Sequence, residues 1–280
     1  MRLATAIRST CRGIHLVSLL IAAYVDGHIR RPKVGAEGAV WIHGWCKRIV
    51  AAMGMTYRVE GEPPASGAVV SNHLSYLDIM LYAATRPFIM VAKHTVRDWP
   101  LIGYLTSRAG TIYVQRSEDV APGEKRQSHA EVNRWMAEAY ATSLPVLFFP
   151  EGTTTDGSQI LPFRRGLFHS VLNGGVPLRV SALRFYLPEG NEGATIGNDV
   201  CFVGYALLGP HLFRFLGLKG LTARIRFGGE VCEREDRFVL SQHARTAVMD
   251  LYESLPRETD AVSVDSADKP VYAGSLARVS

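Results

Sequence analysis

Cysteine is scarce in this 280-residue chain: four residues, Cys11, Cys46, Cys201 and Cys232, lie far apart with no C-x-x-C pair. That spacing suggests neither a zinc ribbon nor a disulfide framework, and isolated reduced thiols are the simpler reading. Signature loops are missing as well. There is no G-x-x-x-x-G-K-[ST], no G-x-G-x-x-G, no G-x-S-x-G and no H-E-x-x-H, so nucleotide hydrolases, Rossmann enzymes, α/β-hydrolases and zincins all lose weight. Acidic residues are rare at the start of the chain. Residues 1–60 carry nine Lys or Arg against three acids, a net of +6, whereas the other 220 carry 22 basic and 23 acidic groups, a net of −1. The overall charge of +5 is therefore entirely N-terminal, a bias that suits a membrane or nucleic-acid surface without demanding either. What remains is ordinary globular composition, 47% hydrophobic and 20% charged. A packed core can form, and one large domain is the simplest organisation.

The charge-free run Gly13–Val25 holds 13 residues. As a helix it reaches ~20 Å, short of the about 30 Å of a hydrocarbon core. Arg2, Arg8 and Arg12 precede it and Arg30, Arg31 and Lys33 follow. A second helical pattern near 40–53 places Trp41, Trp45, Ile49 and Ala52 on one stripe beside Lys47 and Arg48. The two together predict helices lying in an anionic interface rather than a span. Pattern alone gives packing on the core about equal weight, and the location of the charge tilts the reading to the membrane. No small-x-small cleavage site follows the apolar run, so a signal peptide fits less well. A further charge-free stretch, Val200–Phe213, is broken by Gly204, Gly209 and Pro210; it is expected to dip into lipid or line an apolar cavity.

Past residue 55, short apolar runs alternate with helical stretches, the pattern of an α/β domain. Strands are predicted near 56–60, 67–71, 88–92, 111–115, 145–149, 176–184 and 223–229, and helices near 76–85, 99–107, 125–142, 166–173 and 240–254. Residues 186–199, rich in Gly, Asn and acid, read as a loop. The expected division is 1–54 as N-terminal membrane-associating helices, 55–256 as an α/β domain with a mixed sheet and helices on both faces, and 257–280 as a disordered tail. The N-terminal pair of helices is expected to form a membrane-facing unit.

Three segments carry chemistry. In "VVSNHLSYLD" an apolar strand runs into Asn72 and His73, with Asp78 five positions on. On a straight helix those two side chains would point ~140° apart, so contact needs a turn between them. If the turn forms, the carboxylate orients one imidazole nitrogen and leaves the other as a general base. A capping Asn72 or Ser75 beside a space-filling histidine is the plainer alternative. In "LPVLFFPEGTTTDG" a core strand stops at Pro150 and is followed by Glu151, Gly152 and Thr153, a turn able to bind an anion or polyol or simply to leave the sheet. Lys93 and Arg116 end two further strands; each alone reads as a solvated charge, and together they can clamp a phosphate or carboxylate.

The segments "NHLSYLD", "GTIYVQR", "FPEGTTTDG" and "GVPLRVSALRF" occur in the order and spacing of the four blocks of the glycerolipid acyltransferase family. Over about residues 40–230 the chain resembles that family's bacterial 1-acylglycerol-3-phosphate acyltransferase branch. The resemblance implies acyl transfer from acyl-CoA or acyl carrier protein to a lysolipid hydroxyl, with His73 as base and Asp78 orienting it. It further implies that Arg116 binds the acceptor phosphate, with Lys93 as a further cation, that Glu151, Gly152 and Thr153 position the acceptor, and that Pro177 marks the fourth block. No cofactor or metal is expected, since attack on a thioester needs a base and a stabilised oxyanion. The expected partners are anionic membrane lipids, the lysophospholipid and the thioester donor, with no nucleic acid, at the cytoplasmic face of the inner membrane. Two departures stand out. Thr154 and Thr155 replace the Arg-Ser of the common E-G-T-R-S block, and Gln115 replaces an acid before Arg116. Loss of the arginine should weaken phosphate binding unless Lys93, Arg164 or Arg165 substitutes for it. A lyso-ornithine lipid or other lysophospholipid acceptor is the alternative within the enzyme class. A non-catalytic lipid-binding protein is the alternative outside it, and a lipid hydrolase using Ser71 or Ser75 carries less weight because no strained elbow surrounds either.

Overall fold

Short all-apolar strands occupy the middle of the sheet because both of its faces are covered. The computed structural model describes residues 3–115, 120, 127–204, 206–233 and 236–257. Its strands are β1 (Met55–Glu60), β2 (Ala68–Val70), β3 (Ile89–Lys93), β4 (Ile112–Val114), β5 (Val146–Phe148), β6 (Leu178–Tyr186) and β7 (Leu221–Glu230). They form one sheet in the order β1-β7-β6-β2-β5-β3-β4. The five strands from β6 to β4 run parallel; β7 is antiparallel to β6, and β1 is parallel to β7. Ala-Val-Val of β2 and Val-Leu-Phe of β5 are buried throughout, as expected of central parallel strands.

The helices are α1 (Leu3–Arg30), α2 (Ala36–Ala52), α3 (Leu77–Thr85), α4 (Ile102–Arg108), α5 (His129–Tyr140), α6 (Phe168–Gly174), α7 (Leu208–Leu216) and α8 (Arg237–Glu253). Alternate strand residues feed two cores. Val69 and Leu147 meet Leu16, Ile49, Leu81 and Phe215 on one face. Val70 and Phe148 meet Met136, Phe168 and Val248 on the other. Local signals fix the helix starts on the second face. Ser128 and Glu131 form a reciprocal capping box at α5, and the Asp236 carboxylate accepts from two amides at α8.

All seven predicted strands are present, and their ends differ by at most two residues. The first helix is much longer than the run 13–25: its 28 residues reach about 42 Å. It lies along the domain. Ser9 Oγ donates to the Phe213 carbonyl at 2.8 Å, Arg12 donates to the Leu218 carbonyl at 2.7 Å, and Gly27 lies against Trp41 and Tyr104. The opposite side of α1 exposes Ile7, Ile14, Val17, Ile21, Val25 and Ile29. The Trp41/Trp45 stripe, expected against lipid, instead faces α1. Both indole N–H groups donate to Asp26 Oδ2, at 2.8 and 3.1 Å, and Arg30 donates to Oδ1. Asp26 gives both indole N–H groups one shared acceptor, and that anchors the stripe to α1. Helix α7 and a 3-10 turn at His94–Asp98 were not predicted, and a π-turn at Ile196–Val200 closes the predicted loop. Arg116, and the expected disordered tail beyond residue 257, lie outside the described residues.

Candidate active site

Parallel register brings the motif loops together. Val70 of β2 pairs with Phe148 of β5, so counting three residues past each pair lands on His73 and Glu151. Their contact is direct: His73 N–H donates to Glu151 Oε1 at 2.8 Å. The other carboxylate oxygen, Oε2, accepts from Leu161 N–H, also at 2.8 Å. Burial pushes the Glu151 carboxyl up from its ordinary range, and the two amides only partly oppose the shift. Asn72 closes the other side. Its amide donates to the Leu183 carbonyl and accepts from Leu183 N–H, both at 2.9 Å, so a side chain continues the β2–β6 ladder after the β2 backbone has turned away.

A turn at 74–76 makes the His73–Asp78 contact. Asp78 lies in the first turn of α3, and its Oδ2 accepts from His73 Nδ1 at 2.8 Å, Leu74 N–H at 2.6 Å and Ser75 N–H at 3.0 Å. Asp78 is fully buried, and its Oδ1 has no hydrogen-bond partner. An ionised carboxylate only accepts, so His73 Nδ1 carries the proton and Nε2 presents a lone pair. The imidazole stacks on Phe149, ring centroids 4.2 Å apart and planes 13° from parallel. The Thr155 amide donates to the His73 carbonyl at 2.9 Å, tying the third-block loop to the first.

His73 forms part of the wall of a cavity of about 530 Å³ at the C-terminal ends of the parallel strands, where ligands of open α/β sheets bind. Apolar walls come from Ile79, Val91, Val96, Phe149, Leu167 and Phe202. Polar walls come from Lys93, Arg164 and Arg237 with His129, Asn133 and His169. Lys93 and Gly152 are therefore at the site. Gly152 has φ +72, and a Cβ there would sit 2.4 Å from Arg164 Nε, so the missing side chain lets that guanidinium lie against the loop. Two expected residues are elsewhere. Glu151 faces the backbone rather than the cavity, and Thr153 is exposed and outside the cavity wall, whereas Thr154 lines it. Phe202 belongs to the charge-free stretch Val200–Phe213, expected to dip into lipid or line an apolar cavity, and it lines this one; Phe149, inside a quoted motif, and the polar set from α5, α6 and α8 were not anticipated.

An Acyltransferase family model matches residues 58–180. The chain is 30% identical over 194 residues to the 1-acyl-sn-glycerol-3-phosphate acyltransferase of Neisseria meningitidis serogroup B, covering 67% of this chain and 69% of that protein. It is 36% identical over 159 residues to the lyso-ornithine lipid O-acyltransferase of Pseudomonas aeruginosa, covering 55% and 58%. The crystal structure of the 1-acyl-sn-glycerophosphate acyltransferase PlsC from Thermotoga maritima superposes with a TM-score of 0.55 at 14% identity, over 88% of this chain and 99% of that one, and so shares the fold. Motif order, sheet and relatives agree: this chain belongs to the glycerolipid acyltransferase family.

Proposed function

We propose that the enzyme transfers a fatty acyl group from acyl-CoA or acyl carrier protein to the free hydroxyl of 1-acylglycerol-3-phosphate, giving phosphatidic acid. The His73–Asp78 pair carries the reading, with His73 on the wall of a mainly apolar cavity that also holds Lys93, Arg164 and Arg237. His73 Nε2 takes the hydroxyl proton as the oxygen attacks the thioester carbonyl. The tetrahedral intermediate then collapses, expelling the thiolate, which recovers the proton from the imidazolium. Asp78 holds the tautomer and balances the imidazolium charge. Lys93 and Arg164 receive the acceptor phosphate, with Arg116 as a third cation carried over from the family blocks. Glu151 acts through the backbone, fixing the loop that bears His73, and Gly152 makes room for Arg164.

The uncharged outer face of α1 supports membrane association, and we place the enzyme on the cytoplasmic face of the inner membrane, where its thioester donors are available. A second reading of the acceptor, lyso-ornithine lipid, is favoured by the 36% identity to the Pseudomonas enzyme and by Thr154 standing where the family's arginine is common. The test is transfer of labelled acyl groups from both donors, with lysophosphatidate and lyso-ornithine lipid side by side, for native enzyme and His73→Ala. Transfer to one acceptor that falls at least about 10²-fold in the variant is expected. Equal rates in the variant would remove His73 as the base, and no transfer to lysophosphatidate would reject that acceptor.

A further inference from the structure

We propose that the segment Phe202–Phe213, the loop plus most of α7, is a second bilayer-contacting element beside α1 and forms the portal through which a lysolipid reaches His73. The proposal rests on the acyltransferase reading for its acceptor and on independent geometry for its surface. The segment exposes Val203 at 40%, Leu207 at 73% and Phe213 at 41%. It contains no charged residue, and between Val200 and Gly229 the chain carries four Lys or Arg and no carboxylate. Arg214, exposed and next to Phe213, sets a positive charge beside the apolar patch. The patch lies beside α1, because α7 is fastened to that helix through the Ser9–Phe213 bond and through Arg8, which donates to the Gly217 carbonyl at 2.7 Å. α1 has no acid before Asp26. An uncharged apolar surface followed by Arg214 complements an anionic bilayer, with the nearest carboxylate, Asp199, at the root of the segment near His211.

The root of this segment is built into the active site. Phe202 N–H donates to the Leu74 carbonyl at 2.9 Å, and the Phe202 carbonyl accepts from the Thr154 hydroxyl, so one residue is bonded to both the first and third motif loops. Its ring meets Tyr76 edge-on at 5.4 Å and His211 at 5.2 Å. Tyr76 and His211 are hydrogen-bonded at 3.1 Å, and His211 Nε2 bonds the Cys201 carbonyl at 2.9 Å. Phe202 and Tyr76 both line the cavity that holds His73. One residue past Phe202 the chain is exposed and apolar, so the separation between bilayer and catalytic cavity is a single aromatic partition. A lysolipid crossing there keeps its chain in lipid or against aromatic rings while the headgroup moves toward Lys93 and Arg164. Each methylene drawn through water instead would cost about fourfold in the transfer equilibrium.

Two readouts on the full chain test this. Leu207→Cys, in a Cys11→Ser/Cys232→Ser background, is labelled with an environment-sensitive dye and mixed with phosphatidylglycerol vesicles; Glu138→Cys on α5, on the opposite face of the sheet, is the control. A blue shift at 207 and none at 138 is expected. No shift at 207, or equal shifts at both, overturns the proposal, and a shift that follows protein concentration without vesicles assigns the patch to a second copy and also overturns it. Leu207→Asp is then compared with native enzyme on vesicle-embedded lysophosphatidate and on a short-chain monomeric one. A loss of about tenfold or more in kcat/KM on vesicles, with the monomeric rate kept, is expected. Equal losses on both, in a variant whose melt matches that of native enzyme, reject the portal. Insertion of the dye in a native enzyme that transfers to no acceptor would retire the acceptor reading alone.

Discussion

Replacing Asp78 with Asn separates charge from geometry at the catalytic pair. The amide oxygen can occupy the position of Oδ2 and still accept from His73 Nδ1, Leu74 and Ser75, so the tautomer that leaves Nε2 basic is kept. What disappears is the negative charge opposite the imidazolium formed in the transition state. For unit charges about 4 Å apart at an effective dielectric of about 20, that attraction is about 4 kcal/mol. The amide dipole retains part of it, so kcat is expected to fall about 10²- to 10³-fold. Because Asp78 is fully buried and absent from the cavity wall, KM for either substrate should stay within about threefold. Steady-state kinetics with labelled donor, beside thermal melts showing a folded variant, give the answer. A loss of kcat below about tenfold, or a loss confined to KM, would refute the assignment of Asp78 as the counter-charge. Asp78→Ala is the contrasting case: it strands the Leu74 and Ser75 amides at about 1–3 kcal/mol each and should melt earlier as well as slow down.

Glu151→Gln should alter the pH dependence of stability. Burial raises the folded carboxyl above its unfolded value of 4.5, so the native state holds the proton more tightly and stability declines as pH climbs from there through the folded value. The Gln variant should lack this decline in a Tm-versus-pH difference plot while losing one amide bond, about 1–3 kcal/mol, across the whole range; identical pH slopes in the two proteins would contradict the buried-carboxylate account. Gly152→Ala forces a Cβ into Arg164 at φ +72, and the displaced guanidinium should raise KM for the acceptor more than it lowers kcat, which acceptor titrations would show. Ile14→Glu with Ile21→Glu places two charges on the outer face of α1 and should weaken flotation with anionic liposomes by about tenfold or more, with Tm unchanged because neither side chain packs on the core; undiminished flotation would exclude that face as the anchor.

The sheet was readable because its strands are short apolar runs bounded by turn residues, and that signal depends on each segment alone. The His73–Asp78 contact was readable as a conditional statement: the five-residue spacing demanded a turn, and 74–76 supplies it. Other features depend on partners far away in sequence. Trp41 and Trp45 look like an interfacial stripe until Asp26, fifteen and nineteen positions earlier, is brought beneath them. Glu151 reads as a ligand-facing acid in a Thr-rich turn, and only the register of β2 against β5 reveals that backbone amides occupy it. His129, His169 and Arg237 belong to no quoted motif; three separate helices carry them to the cavity, and no local pattern encodes that convergence.

The seat of α1 also sets an order of events during synthesis. The N-terminal half of the helix is fastened to carbonyls of residues 213–218, across separations of 204 to 209 positions. At about 5–20 residues per second, a ribosome makes the helix roughly 10–40 s before it makes the surface on which that half rests. Helix–coil relaxation takes about a microsecond or less, so folding of the segment and its docking are separated by some seven orders of magnitude in time. Throughout that interval Ser9, Arg8 and Arg12 lack the carbonyls that later fix the helix, and the chain must hold its first helix in waiting until its last third arrives.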